Sequence, residues 1–426
     1  MLPYDADTHV IFGPEVDVEL PKIISVDDHV VEPAHVWQTW LPEKHRANGP
    51  RVLRDRFAPF VHMPGARYTN DIDPDGELGD YWMYEDRLIY VHKKFVAIPN
   101  EAISFDASGE KVFDRTKMQM VPVTYDDMIP GCYDRDARVK DFLENWTDGS
   151  LPFPTFPRFC GQTFMDGNDK DLGLACVEAY NNWMIEEWCE PSRGVNIPLC
   201  ILPLWDVDLC VAEIARIADK GVHAICFSEI PSKLGLPSIH TGHWDPLFAI
   251  CDERAVTLNM HIGSSSSMPS ASPDAPEAVG STLQFNNAFA SMIDWLFSGK
   301  LIQFPNLKLA YSEGQIGWMP YALERADRVW EMHEPWTHAK ALIPELPSSY
   351  FAGRIFGCFT DDHHGLASLE AIGTDNICFE VDYPHSDTTW PNSKDHVEKL
   401  VANLDPDVAY KILRGNAINM LSLDRV

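Results

Sequence analysis

The sequence predicts an α/β protein built as a (β/α)8 TIM-type barrel with a large insertion after its first strand. Three observations carry that prediction. From about residue 196 onward, short apolar runs rich in β-formers alternate with longer helical patterns, the signature of βα units and a parallel sheet. About eight such runs are present, and those over 256–261, 307–312 and 377–382 close on a polar or ionisable residue. No glycine-rich phosphate loop follows the first run and 426 residues suffice for eight units, so a closed barrel is favoured over a doubly wound open sheet.

Taken in order, the first strand is expected over 23–26 and the second over 149–153. Continuous apolar runs over 196–202, 222–227, 256–261, 307–312 and 377–382, with a further one over 354–359, read as strands covered on both faces. A helix rich in Glu and Trp is expected over about 170–190. Asp206 is placed to cap a helix that carries Val211, Ile214, Ala215 and Ala218 on one face and stops at Gly221. Asp245 followed by Pro246 reads as the cap and first residue of the next helix, with Leu247, Ile250 and Cys251 at helical spacing. Residues 41–133 are the least periodic part. They are expected to form an insertion within one domain spanning 1–426, serving as a lid over the barrel mouth or as an oligomer contact.

Composition narrows the function classes. With 45% hydrophobic and 11% aromatic residues the chain can fill a large core. A net charge of −30, without a basic patch, excludes nucleic acid and anionic membranes as expected partners. No stretch approaches the roughly 20 apolar residues of a membrane helix. Met1-Leu2-Pro3-Tyr4-Asp5 lacks a positive region followed by an apolar one, so a cytoplasmic location is expected. The ten cysteines, from Cys132 to Cys378, contain no Cys-x-x-Cys pair and read as reduced core residues.

In a barrel of this kind the chemistry sits where strands end. The first strand runs into Asp27-Asp28-His29, and residues i and i+2 of a strand share a face, so Asp27 and His29 are able to reach one ion. The fifth strand ends in His261 and the eighth in Asp382. Singly, each is more often a hydrogen-bonded loop residue than a ligand; together, at three strand ends, two imidazoles and two carboxylates make a borderline N/O set suited to one divalent metal, Zn2+ or Mn2+. Asp7 and His9 repeat the Asp-x-His spacing, but no apolar strand leads into them, so they are assigned to the surface.

The ordered motifs resemble the amidohydrolase-related family that includes aminocarboxymuconate-semialdehyde decarboxylase and the γ-resorcylate-type decarboxylases. The resemblance rests on Asp27-x-His29 with Val31-Glu32-Pro33, on His261-Ile262-Gly263, on Phe304-Pro305-Asn306-Leu307-Lys308-Leu309 leading to Glu313-Gly314, on Asp382-Tyr383-Pro384-His385, and on Gly415-Asn416-Ala417. It implies a TIM-type barrel with one divalent metal on Asp27, His29, His261 and Asp382, and a homodimer. It also marks a departure: several decarboxylases of the family carry a His after the sixth strand, where this chain has Glu313.

Glu313 is therefore a candidate base or support for the metal ligands, with a carboxylate bonded to loop amides as the plain alternative. His385 is a candidate for orienting Asp382 or the substrate. Phe156 and Arg158, from the segment 153–159, and Trp390 are candidate substrate-binding residues for a planar acid, although packing and a surface ion pair explain them equally.

Two reactions fit these residues. The first is decarboxylation of a carboxylated aromatic or conjugated small molecule, with Asp382 delivering a proton, which requires its carboxyl to hold one in a dry pocket. The second is hydrolysis of an amide, ester, lactone or activated carbon–carbon bond, with Asp382 or Glu313 as base. A non-catalytic ligand-binding barrel is the third class, and it predicts loss of at least one ligand residue. The donor set is intact.

Overall fold

The computed structural model describes residues 20–63 and 67–424. Asp7 and His9 lie outside the described residues. The molecule is a TIM barrel whose parallel strands follow the order of the chain. The first strand (Ile23–Val30) pairs in parallel with the second (Thr147–Pro154), bringing His29 beside Phe153. Five further parallel strands form a continuous sheet in sequence order: Ala224–Cys226, Thr257–His261, Leu309–Ser312, Ile355–Phe359 and Ile377–Phe379.

Single backbone bonds rather than ladders join these two groups. At the third position, the Ser150 N–H donates to Val195 O (2.8 Å) and the Ile197 N–H to Ser150 O (2.7 Å), while the Cys226 N–H donates to Cys200 O (2.8 Å). The expected strand over 196–202 is thus reduced to bridges. Pro198 lies in its middle, lacks an N–H and cannot serve a ladder. On the other side, the Asp382 N–H donates to Asp27 O (2.9 Å) and the His29 N–H to Tyr383 O (2.8 Å), joining the eighth position to the first.

Helices cover the barrel. Asp169 caps Lys170–Trp183, which continues through a π turn at Met184–Cys189. Asp206 caps Val207–Ala218 by accepting from the Asp208 and Leu209 amides, as its position predicts. The buried face of that helix is Cys210, Glu213, Ile214 and Ile217, rotated from the expected one. The Glu213 carboxylate makes this possible because the Arg216 guanidinium and the Asn181 amide (2.6 Å) satisfy it. Asp245 is not a cap: it is the first residue of Asp245–Arg254, after Trp244, and its carboxylate accepts from Lys300 Nζ (2.5 Å).

Residues 41–133 lie between the first and second strands and contain more order than their sequence suggests. An antiparallel sheet joins Arg51–Phe57, Glu77–Tyr84 and Arg87–Val91, and a hairpin joins Ile103–Phe105 to Lys111–Phe113. Trp82 anchors the sheet to the main core by stacking on Phe156 at 4.8 Å and meeting Trp37 edge-on at 5.0 Å. All ten cysteines are free and buried. No helix among the described residues is long and apolar enough to cross a membrane.

Candidate metal centre

The inward positions of the first strand aim Asp27 and His29 into the C-terminal mouth of the barrel, where His261 and Asp382 meet them. His261 Nε2 lies 3.3 Å from Asp27 Oδ2, and His29 Nε2 lies 3.3 Å from Asp382 Oδ1 and 4.0 Å from Asp27 Oδ1. All four residues are buried. Both oxygens of Asp27, both of Asp382 and the Nε2 atoms of His29 and His261 have no hydrogen-bond partner. Buried polar atoms left unpaired are costly, and Asp27, His29 and His261, close together with Glu313, describe a cation site, while Asp382 groups with Glu313 and His385 beside it. The residues fit a divalent ion.

The protonation directions agree with that fit. Burial drives the Asp27 pKa well above its ordinary value, and the neighbouring Glu380, Glu313, Asp382 and Asp28 carboxylates drive it further. Burial lowers His29 and, together with His29 itself, holds His261 well below its usual range. Neutral imidazoles are what a metal requires. The His261 tautomer is fixed: Nδ1 lies 2.6 Å from Ile262 O, a carbonyl can only accept, so Nδ1 carries the proton and Nε2 offers its lone pair inward.

Other residues hold these groups in place. Arg138, wholly buried, donates to His29 O (2.8 Å). Asp28 points away from the centre and ties three strands together, accepting from the Ser150 hydroxyl (2.6 Å) and the Tyr383 amide (2.9 Å); burial raises its pKa to about 7. Glu32 accepts from the Thr155 and Phe156 amides, fixing the loop after the second strand. Phe159 lies flat on His261, centroids 4.1 Å apart at 15°, and Phe153 stands edge-on to the same ring at 5.0 Å.

Glu313 comes closer to the donors than its sequence position discloses. Its Oε2 is 3.6 Å from His261 Nε2, and Asp27, His29, His261 and Glu313 each offer one donor atom within 4.8 Å of the others. Burial, then the Asp382 carboxylate, raises its pKa well above the ordinary value. Glu313 and Asp382 both adopt left-handed backbone, φ 53° and 59°, a conformation that costs a side-chain-bearing residue about 1 kcal/mol or more and is retained here where both carboxylates turn inward.

Asp382 departs from expectation. Burial favours its neutral form, but His385 Nδ1 at 3.4 Å and His29 outweigh that and hold the carboxyl below the usual range. The proton expected on Asp382 is therefore better kept by His385. Burial opposes charge there, yet the Asp382 and Glu313 carboxylates raise the imidazole to about 9.

Of the substrate-binding candidates, Phe156 takes the packing alternative: its ring lies among Trp37, Trp82 and Phe164, within the core. Trp390 likewise packs on Tyr383 (5.2 Å) and under Lys111. Arg158 pairs with Asp166 (3.2 Å) and donates to the Ser266 hydroxyl beside the loop that follows His261. The residues that do face the mouth are Phe153, Phe159 and, from the insertion, Phe95 and Arg115. Phe95 meets the His385 ring at 4.6 Å, and the Arg115 guanidinium donates to the Ser386 and Thr388 carbonyls. A cavity of about 260 Å³ opens onto Glu313 between Arg115, Ile262, Gln315 and Asp387. A larger one, about 490 Å³, lies between Pro33–His35 and the insertion sheet and touches none of the donors.

A parallel barrel with a buried N/O donor set at its C-terminal mouth defines a metal-dependent enzyme of the amidohydrolase type. The family profile described as amidohydrolase matches residues 125–423, and the chain belongs to that family. Among solved structures it is similar to an amidohydrolase from Mycobacterium avium subsp. paratuberculosis (19% identity, 94% of this chain and 99% of that one, TM-score 0.67). It is similar also to Metarhizium anisopliae IDCase in its apo form (15%, 95% and 98%, 0.63). A third is 5-carboxyvanillate decarboxylase from Novosphingobium aromaticivorans, solved with manganese and 3-methoxy-4-hydroxy-5-nitrobenzoic acid (15%, 68% and 82%, 0.55). No curated protein sequence matches.

Proposed function

We propose that this protein is a non-oxidative decarboxylase of a carboxylated aromatic or conjugated small molecule, using one Mn2+ or Zn2+ on Asp27, His29, His261 and Asp382. The observation that carries the reading is the apolar frame of the donor set: Phe95, Phe153 and Phe159 pack on the His385, His29 and His261 rings, beside a cavity of about 260 Å³ that opens onto Glu313. The manganese and aromatic acid in the 5-carboxyvanillate enzyme support it. When bound, the cation supplies a Lewis acid for the substrate carboxylate and a neighbouring oxygen. The phenyl walls exclude water, which strengthens every charge interaction inside. As the carbon–carbon bond breaks, its electron pair stays on the ring carbon, and that carbon takes a proton from the Asp382–His385 pair, whose nearest atoms stand 3.4 Å apart. Arg115 offers positive charge to an incoming acid at a mouth otherwise lined by Glu313, Asp361 and Asp387.

One observation favours a second reading, hydrolysis: Glu313, beside His261, is placed to take a proton from a water at the donors. A panel of hydroxybenzoates, amides and esters separates the two. Carbon dioxide release from an aromatic acid, cut by about 10²–10⁴-fold in Asp382→Asn, is the expected result. Acid release from an ester or amide without carbon dioxide rejects decarboxylation. Metal retained undiminished in His261→Ala rejects the centre itself.

A further inference from the structure

The strand Leu309–Ser312 runs into a loop, residues 313–318, that neighbouring elements hold from several sides. Glu313 and Gln315 both adopt left-handed backbone, φ 53° and 56°, on either side of Gly314. Two such residues so close together are costly, and they persist only where the surroundings fix them. Here the Gln315 N–H donates to Cys358 O (3.1 Å), the Ile316 and Gly317 amides donate to Asp362 Oδ2 (2.9 and 2.6 Å), and Trp318 Nε1 donates to Gly314 O (2.7 Å). Gly317 permits that approach, since a Cβ on it would stand 2.9 Å from Asp362 Oδ1. The loop so fixed presents an amide side chain. Gln315 lines the cavity of about 260 Å³ beside Glu313, and its Oε1 is buried without a hydrogen-bond partner. A buried acceptor left unpaired costs free energy that a bound donor recovers.

We propose that Gln315 is a specificity-determining residue: its amide oxygen accepts a hydrogen bond from a hydroxyl or amino group that the substrate carries away from its carboxylate. The enzyme thereby selects aromatic or conjugated acids that bear such a donor over those that lack it. Glu313 links the two regions, because its Oε2 lies 3.6 Å from His261 Nε2 while its side chain also lines the cavity. A molecule whose carboxylate is held at the mouth therefore reaches the cavity with its far side. Glu313, Asp361 and Asp387 on the same cavity also accept hydrogen bonds when ionised, so a donor suits the position and a second carboxylate does not. An analogue without the donor displaces water from Gln315 and leaves Oε1 unpaired, a penalty that corresponds to about 10–100-fold in affinity or kcat/KM.

The inference takes its substrate class from the decarboxylase reading above, and one experiment separates the two. Wild type and Gln315→Met, which keeps the length of the side chain and removes its hydrogen bonding, are loaded with Mn2+ and checked for folding by circular dichroism. Each is given 2-hydroxybenzoate and its ring-hydroxylated and ring-aminated derivatives, with binding read by calorimetry and kcat/KM by carbon dioxide release. Wild type is expected to favour at least one derivative over 2-hydroxybenzoate by about 10–100-fold, and Gln315→Met to bring that ratio close to one. The ratio is a readout that a merely structural role would not move. No preference in wild type, a preference that survives Gln315→Met, or an equal loss of all the acids in the variant overturns the role of Gln315. A binding preference abolished by Gln315→Met, with no carbon dioxide from any acid, upholds Gln315 and overturns decarboxylation. Should Gln315→Met fail to fold, Gln315→Asn serves, since Asn tolerates left-handed backbone and withdraws the amide by one methylene, with the same loss of preference expected.

Discussion

Phe156 and Phe159 stand three residues apart and do different work. The first is locked among Trp37, Trp82 and Phe164, and the second lies on the face of a metal-site imidazole. Phe159→Ala removes a stacking partner of His261, an interaction worth about 0.5–1.5 kcal/mol, so metal affinity should weaken by up to about tenfold in a Mn2+ titration with little change in melting temperature. Phe156→Ala should destabilise by about 3–5 kcal/mol in denaturant unfolding and leave the affinity of the folded protein unchanged. Sequence could not separate the two rings. Pro154, Pro157 and the left-handed backbone of Arg158 (φ 63°) break the alternation that assigns faces on a strand. Asp27 and His29 were legible as a pair because period-two geometry puts both on one face of the first strand, and His261 because it closes its own; Asp382 and Glu313 owe their inward aim to a left-handed φ no pattern displays, and Glu313 was legible only as a substitution.

At the scale of elements, the barrel strands were readable as apolar runs because burial on both faces leaves little choice of residue. The third was read too strongly, its apolar run being interrupted by Pro198, and residues 51–91 were read too weakly. The strand Arg51–Phe57 carries Arg and Asp on partly exposed positions and buries only its last residue, so no alternation announces it. That sheet nevertheless belongs to the segment that delivers Phe95 and Arg115 to the mouth. Arg115 is tied to the carbonyls of Ser386 and Thr388, in the loop carrying His385. If the segment helps bind a carboxylated substrate, Arg115→Ala should raise KM severalfold in steady-state assays and lower kcat less, since the groups that move the proton remain. An unchanged KM would remove Arg115 from binding.

For the whole molecule the centre is a concentration of negative charge inside a chain already at −30. Asp27, Glu313 and Glu380 have pKa values raised first by burial and then by neighbouring carboxylates, Asp382 among them, so a metal-free protein keeps protons on them. Between the ordinary carboxyl pKa and the raised one, the folded state then binds more protons than the unfolded state, and stability falls as pH rises. Metal replaces those protons. Chelation should therefore lower the melting temperature more at pH 8 than at pH 6, with recovery on adding Mn2+; a loss independent of pH would show that these carboxyls do not titrate with folding. The seam where Asp382 N–H meets Asp27 O and His29 N–H meets Tyr383 O has a further consequence, for biosynthesis. The donors on either side of that seam lie far apart in the sequence, so on the ribosome the first pair waits, exposed and incomplete, until Asp382 has emerged. Loading of an ion is thereby deferred until that segment is made, and a nascent chain interrupted before Asp382 has no complete cage with which to retain it.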